Sequence, residues 1–414
     1  MGEEARPAEA PDRRTAVLGW LLIALLALGS VEAASFMFLR VSERRNPLVF
    51  AFDPDEYLRS LPEKLLENYE RAAELHQIYA PDARVGWTRV AGSKHTFPDG
   101  TTIDTDALGA RQIPGASGAA LLSTYGDSFT EGLEVDDADT WEAGLARQTG
   151  AMVWNFGVSG YGPDQALLAL ERNLERGVRT PIVILALVNE NLNRIMTAFR
   201  PFYTYPYPDI LVGFKPLFVK EADGFAVRSY QPSDIQDRSA LRRAIVEASR
   251  GDPFLERRTE RVAFPFSAHA AGFLWRQGLH PAAPWLGASE VARERMAYIL
   301  RRFVGDARRF HFVPVLALLP EGRDSLQQTA GQSHGILAPL AAQLPELTFV
   351  DIPKLLSGPD SGEYVAGFRP DRFIKVVHPS AYGNEAIAAV LSRSLERQIE
   401  AAQALVGAPE SSDR

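Results

Sequence analysis

From residue 118 onward the chain alternates between short apolar runs and longer amphipathic stretches. The runs fall at 119–125 (AALLSTY), 151–156 (AMVWNF), 182–188 (IVILALV), 310–319 (FHFVPVLALL) and 347–352 (LTFVDI). Each has the length of a strand, and most are apolar at consecutive positions, the pattern of strands covered on both faces. The stretches between them carry helical periodicity at about 138–149, 163–177, 289–306 and 335–343, and a last helix at about 380–404 closes the region. Strand and helix in turn predict an α/β fold: a doubly wound, mostly parallel sheet of five strands, whose ligands bind beyond the carboxyl ends.

The pattern breaks twice. Between the third and fourth strands, residues 200–288 read as an insertion; it opens with the aromatic, Pro-rich RPFYTYPYPDILVGFKPLF and continues with helices near 239–251 and 266–278. Ahead of the sheet, 53–79 reads as helix interrupted near Pro62, and 82–117, rich in Gly, Thr and Pro, as short strands and turns. The organisation expected is a disordered tail (1–14), an apolar helix (15–39), an extension (46–117), the α/β domain (118–406) with its insertion, and a disordered end (407–414).

The apolar helix changes the setting. Residues 15–39 hold one charge, Glu32, between Arg13 and Arg14 on one side and Arg40, Arg44 and Arg45 on the other. Twenty-five helical residues reach about 37 Å, enough to cross a bilayer with tilt. A buried core helix and a signal peptide cleaved before Ala34 are the alternatives. An uncleaved single-pass anchor in the cell membrane, with the bulk of the chain extracytoplasmic, is the expectation. Composition narrows the chemistry. A net charge of −8 disfavours a nucleic-acid partner, and the absence of cysteine removes disulfides, thiolate metal sites and a cysteine nucleophile. Scattered histidines argue against a metal, and no phosphate-cradling glycine loop or dinucleotide fingerprint follows a strand, so no cofactor is expected.

The candidate chemistry stands where strands end. The first closes in YGDSFTEG, putting Ser128 at a strand-to-helix turn, where it is a nucleophile or a helix cap. The second closes in NFGVSGYG, whose glycines let backbone approach a reacting centre or serve a plain turn. The third closes in NENLNR, with asparagines able to donate to an oxyanion or cap a helix. His378, in HPSAYGNEAIA, precedes a proline and a helix start.

In that order along 118–400, these segments resemble the GDSL-type or SGNH hydrolases. The resemblance implies a flavodoxin-like sheet with Ser128 as nucleophile and first oxyanion donor, Gly160 as a backbone donor, Asn191 as a side-chain donor and His378 as the base. Asp127 would shape the turn. The family has a glycine two residues before its asparagine; Asn189 stands there, so the assignment can slip between Asn191 and Asn189. The family also has an aspartate three residues before its histidine, where this chain has Lys375. A lysine cannot orient an imidazolium. A Ser–His dyad braced by a backbone carbonyl, an acid from elsewhere such as Asp371 or Asp351, or a loss of hydrolytic power are the readings left open.

The resemblance implies a serine esterase working through an acyl-serine, with an acetylated envelope or secreted polysaccharide as one candidate substrate. A polysaccharide O-acyltransferase and a non-catalytic, membrane-tethered assembly module are the alternatives. The aromatic group Phe199, Phe202, Tyr203, Tyr205 and Tyr207 reads as packing of the insertion or as a sugar-stacking surface. Arg194 and Arg200 read as substrate contacts or surface ion pairs. Acyl length, acceptor and oligomeric state are left open by the sequence.

Overall fold

The computed structural model describes residues 13–63, 78–98, 100–204, 213–231, 235, 237–277, 287, 289–321, 335–357 and 378–407. The tails at 1–12 and 408–414, the helix expected beyond Pro62, and Tyr205, Tyr207, Asp371 and Lys375 lie outside them. The chain divides into two compact units. One comprises residues 1–52 and 254–284, the other 53–253 and 285–414.

The second unit is built on five parallel strands: β1 (Ala120–Tyr125), β2 (Met152–Asn155), β3 (Ile182–Leu187), β4 (Val313–Leu318) and β5 (Thr348–Asp351). The helices that matter below are, in chain order, α1 (Arg13–Arg45), α2 (Ser128–Glu131), α3 (Trp141–Thr149), α4 (Pro163–Glu175), α5 (Asn191–Arg194), α6 (Phe266–Gln277), α7 (Glu290–Phe310) and α8 (Ala381–Ser394). The sheet runs β5-β4-β3-β1-β2, all neighbours parallel. This is the flavodoxin-like order, whose direction of winding switches between β1 and β3 and opens a crevice at their carboxyl ends.

Both faces are covered, which is why the strands are apolar at successive positions. Ile182, Ile184, Ala186 and Val188 share a core with Trp141 and Leu145 of α3 and Ile387 and Leu391 of α8. The alternate residues Val183, Leu185 and Leu187 are equally buried and point to the other face, against which α4 and α7 pack. The fourth strand is shorter than its apolar run. Residues as far as Phe310 stay in α7, which ends where His311 takes a left-handed φ of 58° and its N–H bonds the Ala307 carbonyl. Two short hairpins precede the sheet, Tyr79–Asp82 with Gly86–Arg89 and Lys94–Thr96 with Thr102–Asp104. A third, Leu217–Glu221 with Gly224–Arg228, lies in the insertion.

The first unit joins α1 to α6. Leu39, Val49, Phe50, Ala270 and Phe273 form its core. Residues 13–31 of α1 lie outside this packing, and no side chain of its most apolar stretch is buried. Among the described residues one helix, α1, is therefore long and apolar enough to cross a membrane.

Candidate active site

Beyond Tyr125 the chain has no room for a side chain. A Cβ on Gly126 would lie 2.4 Å from the Ala186 carbonyl of β3 and 2.1 Å from Thr130 Oγ1. The backbone thus runs tight against β3 and turns at once into α2, leaving Ser128 at the first helical position. Asp127 caps that helix, its Oδ1 accepting the Phe129 N–H at 2.9 Å. Its Oδ2 accepts from Asn191 Nδ2 at 2.8 Å and Arg194 Nη1 at 3.1 Å, tying the β1 turn to the β3 turn. Burial works against the charge on Arg194, but Glu190 and Asp127 outweigh it and hold the guanidinium pKa above its ordinary value. At the neighbouring strand exit, burial and the nearby Glu190 push Glu321 up to about 7.

Ser128 and His378, 250 residues apart in sequence, meet with Oγ 2.8 Å from Nε2. The imidazole packs on the Phe129 ring, centroids 4.7 Å apart. Its far nitrogen, Nδ1, lies 3.3 Å from Glu134 Oε1, an ion-pair separation without the alignment of a hydrogen bond. Among the described residues, the acid that meets the ring is therefore Glu134, on the loop after the serine. Asp351 Oδ1 accepts the Lys354 N–H at the start of a short helix.

Glu134 was not a sequence candidate. Its φ is 74°, a left-handed conformation that costs a residue with a side chain about 1–2 kcal/mol. Arg111 holds the loop in this shape. All five of its N–H groups are used: on the Glu131, Gly132, Val135 and Thr102 carbonyls at 2.7–3.0 Å, and on Asp137 Oδ1 at 2.6 Å.

The glycine segment is held from two sides. Ser159 donates its N–H to Glu131 Oε2 at 2.7 Å, and its carbonyl accepts from Trp87 Nε1 at 2.9 Å. Glu131, fully buried, also receives Arg89 Nε at 2.9 Å and the Tyr79 hydroxyl. Gly160 follows at φ +84°, where a Cβ would strike Arg200 Nη1 at 2.1 Å. Neither the Gly160 N–H nor the Ser128 N–H has a hydrogen-bond partner among the described residues. Two backbone donors are thus left for a third party.

The two candidate asparagines stand in different settings. Asn191 gives one of its two amide N–H groups to Asp127, and its Oδ1 accepts the Val188 N–H at 3.0 Å; the second amide N–H is not used within the described residues. It starts α5, one turn past the strand, so its side chain reaches back beneath the turn. Asn189 stands nearer the strand exit and is the more exposed of the two, at 6% against 1%. The aromatic group resolves as packing where it is described. Phe199 and Phe202 are fully buried, and the Tyr203 hydroxyl donates to Glu190 at 2.7 Å. Arg194 is buried rather than on the surface.

No family model matches the sequence, and no curated protein matches it. Among solved structures, one described as a lipolytic protein of the G-D-S-L family from Desulfitobacterium hafniense is 15% identical; the match covers 66% of this chain and 98% of that one, with a TM-score of 0.32. TesA is 13% identical over 67% of this chain and 98% of its own, with a TM-score of 0.36. AlinE4, an SGNH-hydrolase family esterase, is 17% identical over 68% and 97%, with a TM-score of 0.31. Likenesses of this degree say nothing of substrate. It is the chain's own strand order, with a serine and a histidine brought together at the carboxyl edge, that gives it the SGNH-type fold its motifs resemble.

Proposed function

We propose that the protein is a serine esterase of the SGNH type that cleaves acyl esters through an acyl-serine. The observation that carries this reading is the 2.8 Å Ser128–His378 contact, with Glu134 on the far side of the ring. A serine hydroxyl is a poor nucleophile until a base takes its proton, and the imidazole is in reach to do so. Ser128 Oγ attacks the ester carbonyl while His378 accepts the hydroxyl proton. The oxyanion that forms is met by the N–H groups of Ser128 and Gly160 and by the second amide N–H of Asn191. As the tetrahedral centre collapses, His378 returns the proton to the departing alcohol. Water then enters, gives its proton to His378, and releases the acid as Ser128 recovers its own. Glu134 stabilises the imidazolium in both halves, the task the family gives to an aspartate that is lysine here. Its presence weakens the non-catalytic reading, which rested on Lys375.

The setting we propose is the membrane surface. Glu32, the one acid of the apolar stretch, accepts the Phe266 N–H at 2.6 Å, so α1 is bonded into the folded chain from within that stretch, ahead of Ala34. This supports an anchor that is retained rather than cleaved. With the site outside the cytoplasm, an acetylated glycan is the substrate class to try first.

The test uses the full chain in detergent with p-nitrophenyl acetate and a fluorophosphonate probe. The expected result is turnover and labelling in the wild type, and loss of both in Ser128→Ala. Equal background rates in the two proteins would end the esterase reading. Adding an acetylated glycan with and without a sugar acceptor separates hydrolysis from transfer.

A further inference from the structure

The helix α6 is apolar on two faces, and only one of them is covered. Ala270 and Phe273 pack into the core that Leu39 of α1 enters, and Phe266 meets Phe36 with ring centroids 5.0 Å apart. On the other side Ala268, Ala271, Leu274 and Trp275 follow one another at helical spacing, all exposed. Trp275 is 91% exposed, and Phe264, just ahead of the helix, 73%. From Val262 to Trp275 there is no Asp, Glu, Lys or Arg, while Arg261 and Arg276 bracket the stretch. With Ser267 and His269 its only polar side chains before Arg276, the helix is apolar well beyond the single stripe of a surface helix, and the uncovered face calls for an apolar neighbour.

Continuity with α1 decides between lipid and another occupant. The two helices run side by side in the same direction. Phe266 sits by Glu32 and Phe36, and Phe273 by Phe38, 5.8 Å away ring to ring. Glu32 is costly in an otherwise apolar span unless it is given partners, and the first N–H groups of α6 supply them. Below that point α1 is bare; above it lie Arg40, Arg44 and Arg45. With the bare stretch in hydrocarbon, Phe264 falls at the acyl boundary and Trp275 at the headgroups, the level at which tryptophan is enriched in membrane proteins. Twelve residues make about 18 Å of helix, too short to span a bilayer; rising beside α1 from the acyl boundary, it stands in the interfacial layer of one leaflet.

We propose that residues 262–275 form a second membrane-seated element, which enters the leaflet beside α1 and places Phe264 and Trp275 in lipid. The inference rests on α1 being the anchor, so the experiment reads the two helices separately. The chain has no cysteine, and single cysteines can therefore be introduced cleanly. Full-length Leu22→Cys, Phe264→Cys, Trp275→Cys and Val227→Cys proteins are labelled with the environment-sensitive dye NBD and reconstituted into liposomes. Position 227, on an insertion hairpin strand, is the aqueous reference.

The expected result is blue-shifted emission at 22, 264 and 275, with a several-fold loss on adding spin-labelled lipids, and no loss at 227. Position 264 should respond more to deeper labels than 275 does. Loss at 22 alone overturns the inference and leaves the anchor standing; loss at none of the four overturns both. A blue shift at 264 and 275 that ignores lipid quenchers, with 275-to-275 cross-linking, would assign the face to a second copy of the chain and overturn the inference as well.

Discussion

Glu134 joins a strained backbone to an acid that faces the His378 ring. Strain of this kind persists where the surroundings over-determine it, and here the loop carbonyls are fixed by Arg111. Stability and activity should therefore separate at this residue. Glu134→Gly relieves the left-handed φ and removes the carboxylate, so thermal unfolding should show a protein no less stable than wild type. Its kcat/KM for p-nitrophenyl acetate should nonetheless fall about 100-fold, the scale of a lost contribution to acid–base catalysis. Glu134→Asp, which keeps the charge, should retain more activity than Glu134→Gln. A Glu134→Gln enzyme with wild-type kinetics would remove the acid from the site.

At the scale of elements, two buried acids sort differently. Asp164, at the start of α4, pairs with Lys215 at 2.5 Å, and neither is exposed. Burial lowers the Lys215 pKa and Asp164 works against that shift. Removing one partner of a buried pair leaves an uncompensated charge. Lys215→Met should cost about 3–5 kcal/mol in denaturant unfolding, and Lys215→Met with Asp164→Leu distinctly less. Glu142, on α3, has a hydroxyl neighbour instead: Thr124 donates to it at 3.0 Å. Burial pushes its pKa up to about 8. The folded state therefore holds a proton that the unfolded chain releases from about pH 4.5 upward. The stability from this residue is whole below pH 4.5 and is lost as pH rises through about 8, at roughly 1.4 kcal/mol per unit in between. Glu142→Gln should flatten this slope and raise the melting temperature most above pH 8. An unchanged slope would mean the carboxyl is ionised in the fold.

At the scale of the whole molecule, the segment ahead of the sheet belongs to the site. Trp87 and Arg89 reach the glycine segment and Glu131, and Arg111 builds the Glu134 loop. A chain beginning at residue 118 keeps all five strands, Ser128 and His378, yet loses these supports. It should show no fluorophosphonate labelling above a Ser128→Ala control, even where circular dichroism reports α/β structure. Wild-type labelling of that fragment would show the extension to be dispensable. A chain beginning at residue 46 poses the opposite case, since it lacks Leu39 and Glu32 and so bares Ala270 and Phe273 of α6.

Local pattern determined the strands, most helices and their sequence. Burial on two faces forces continuous apolar runs, and a parallel order forces helices between them, so both leave a record in neighbouring residues. Ser128, Gly160 and His378 stood out as candidates for a related reason: each occupies a strand end or loop whose backbone demands particular neighbours, such as the Gly126 that a Cβ would drive into β3. Partnerships across the chain left no such record. Nothing around Glu134 marks it as the acid facing a histidine some 240 residues on, or Asn191 as bonded to Asp127 across the two turns. The same holds for Glu32, which in sequence is a charge interrupting an apolar run and in the fold receives the first turn of α6. Spacing along the chain sets which face a residue takes. Which distant group it meets was settled only when the two turns, the extension and the insertion packed together.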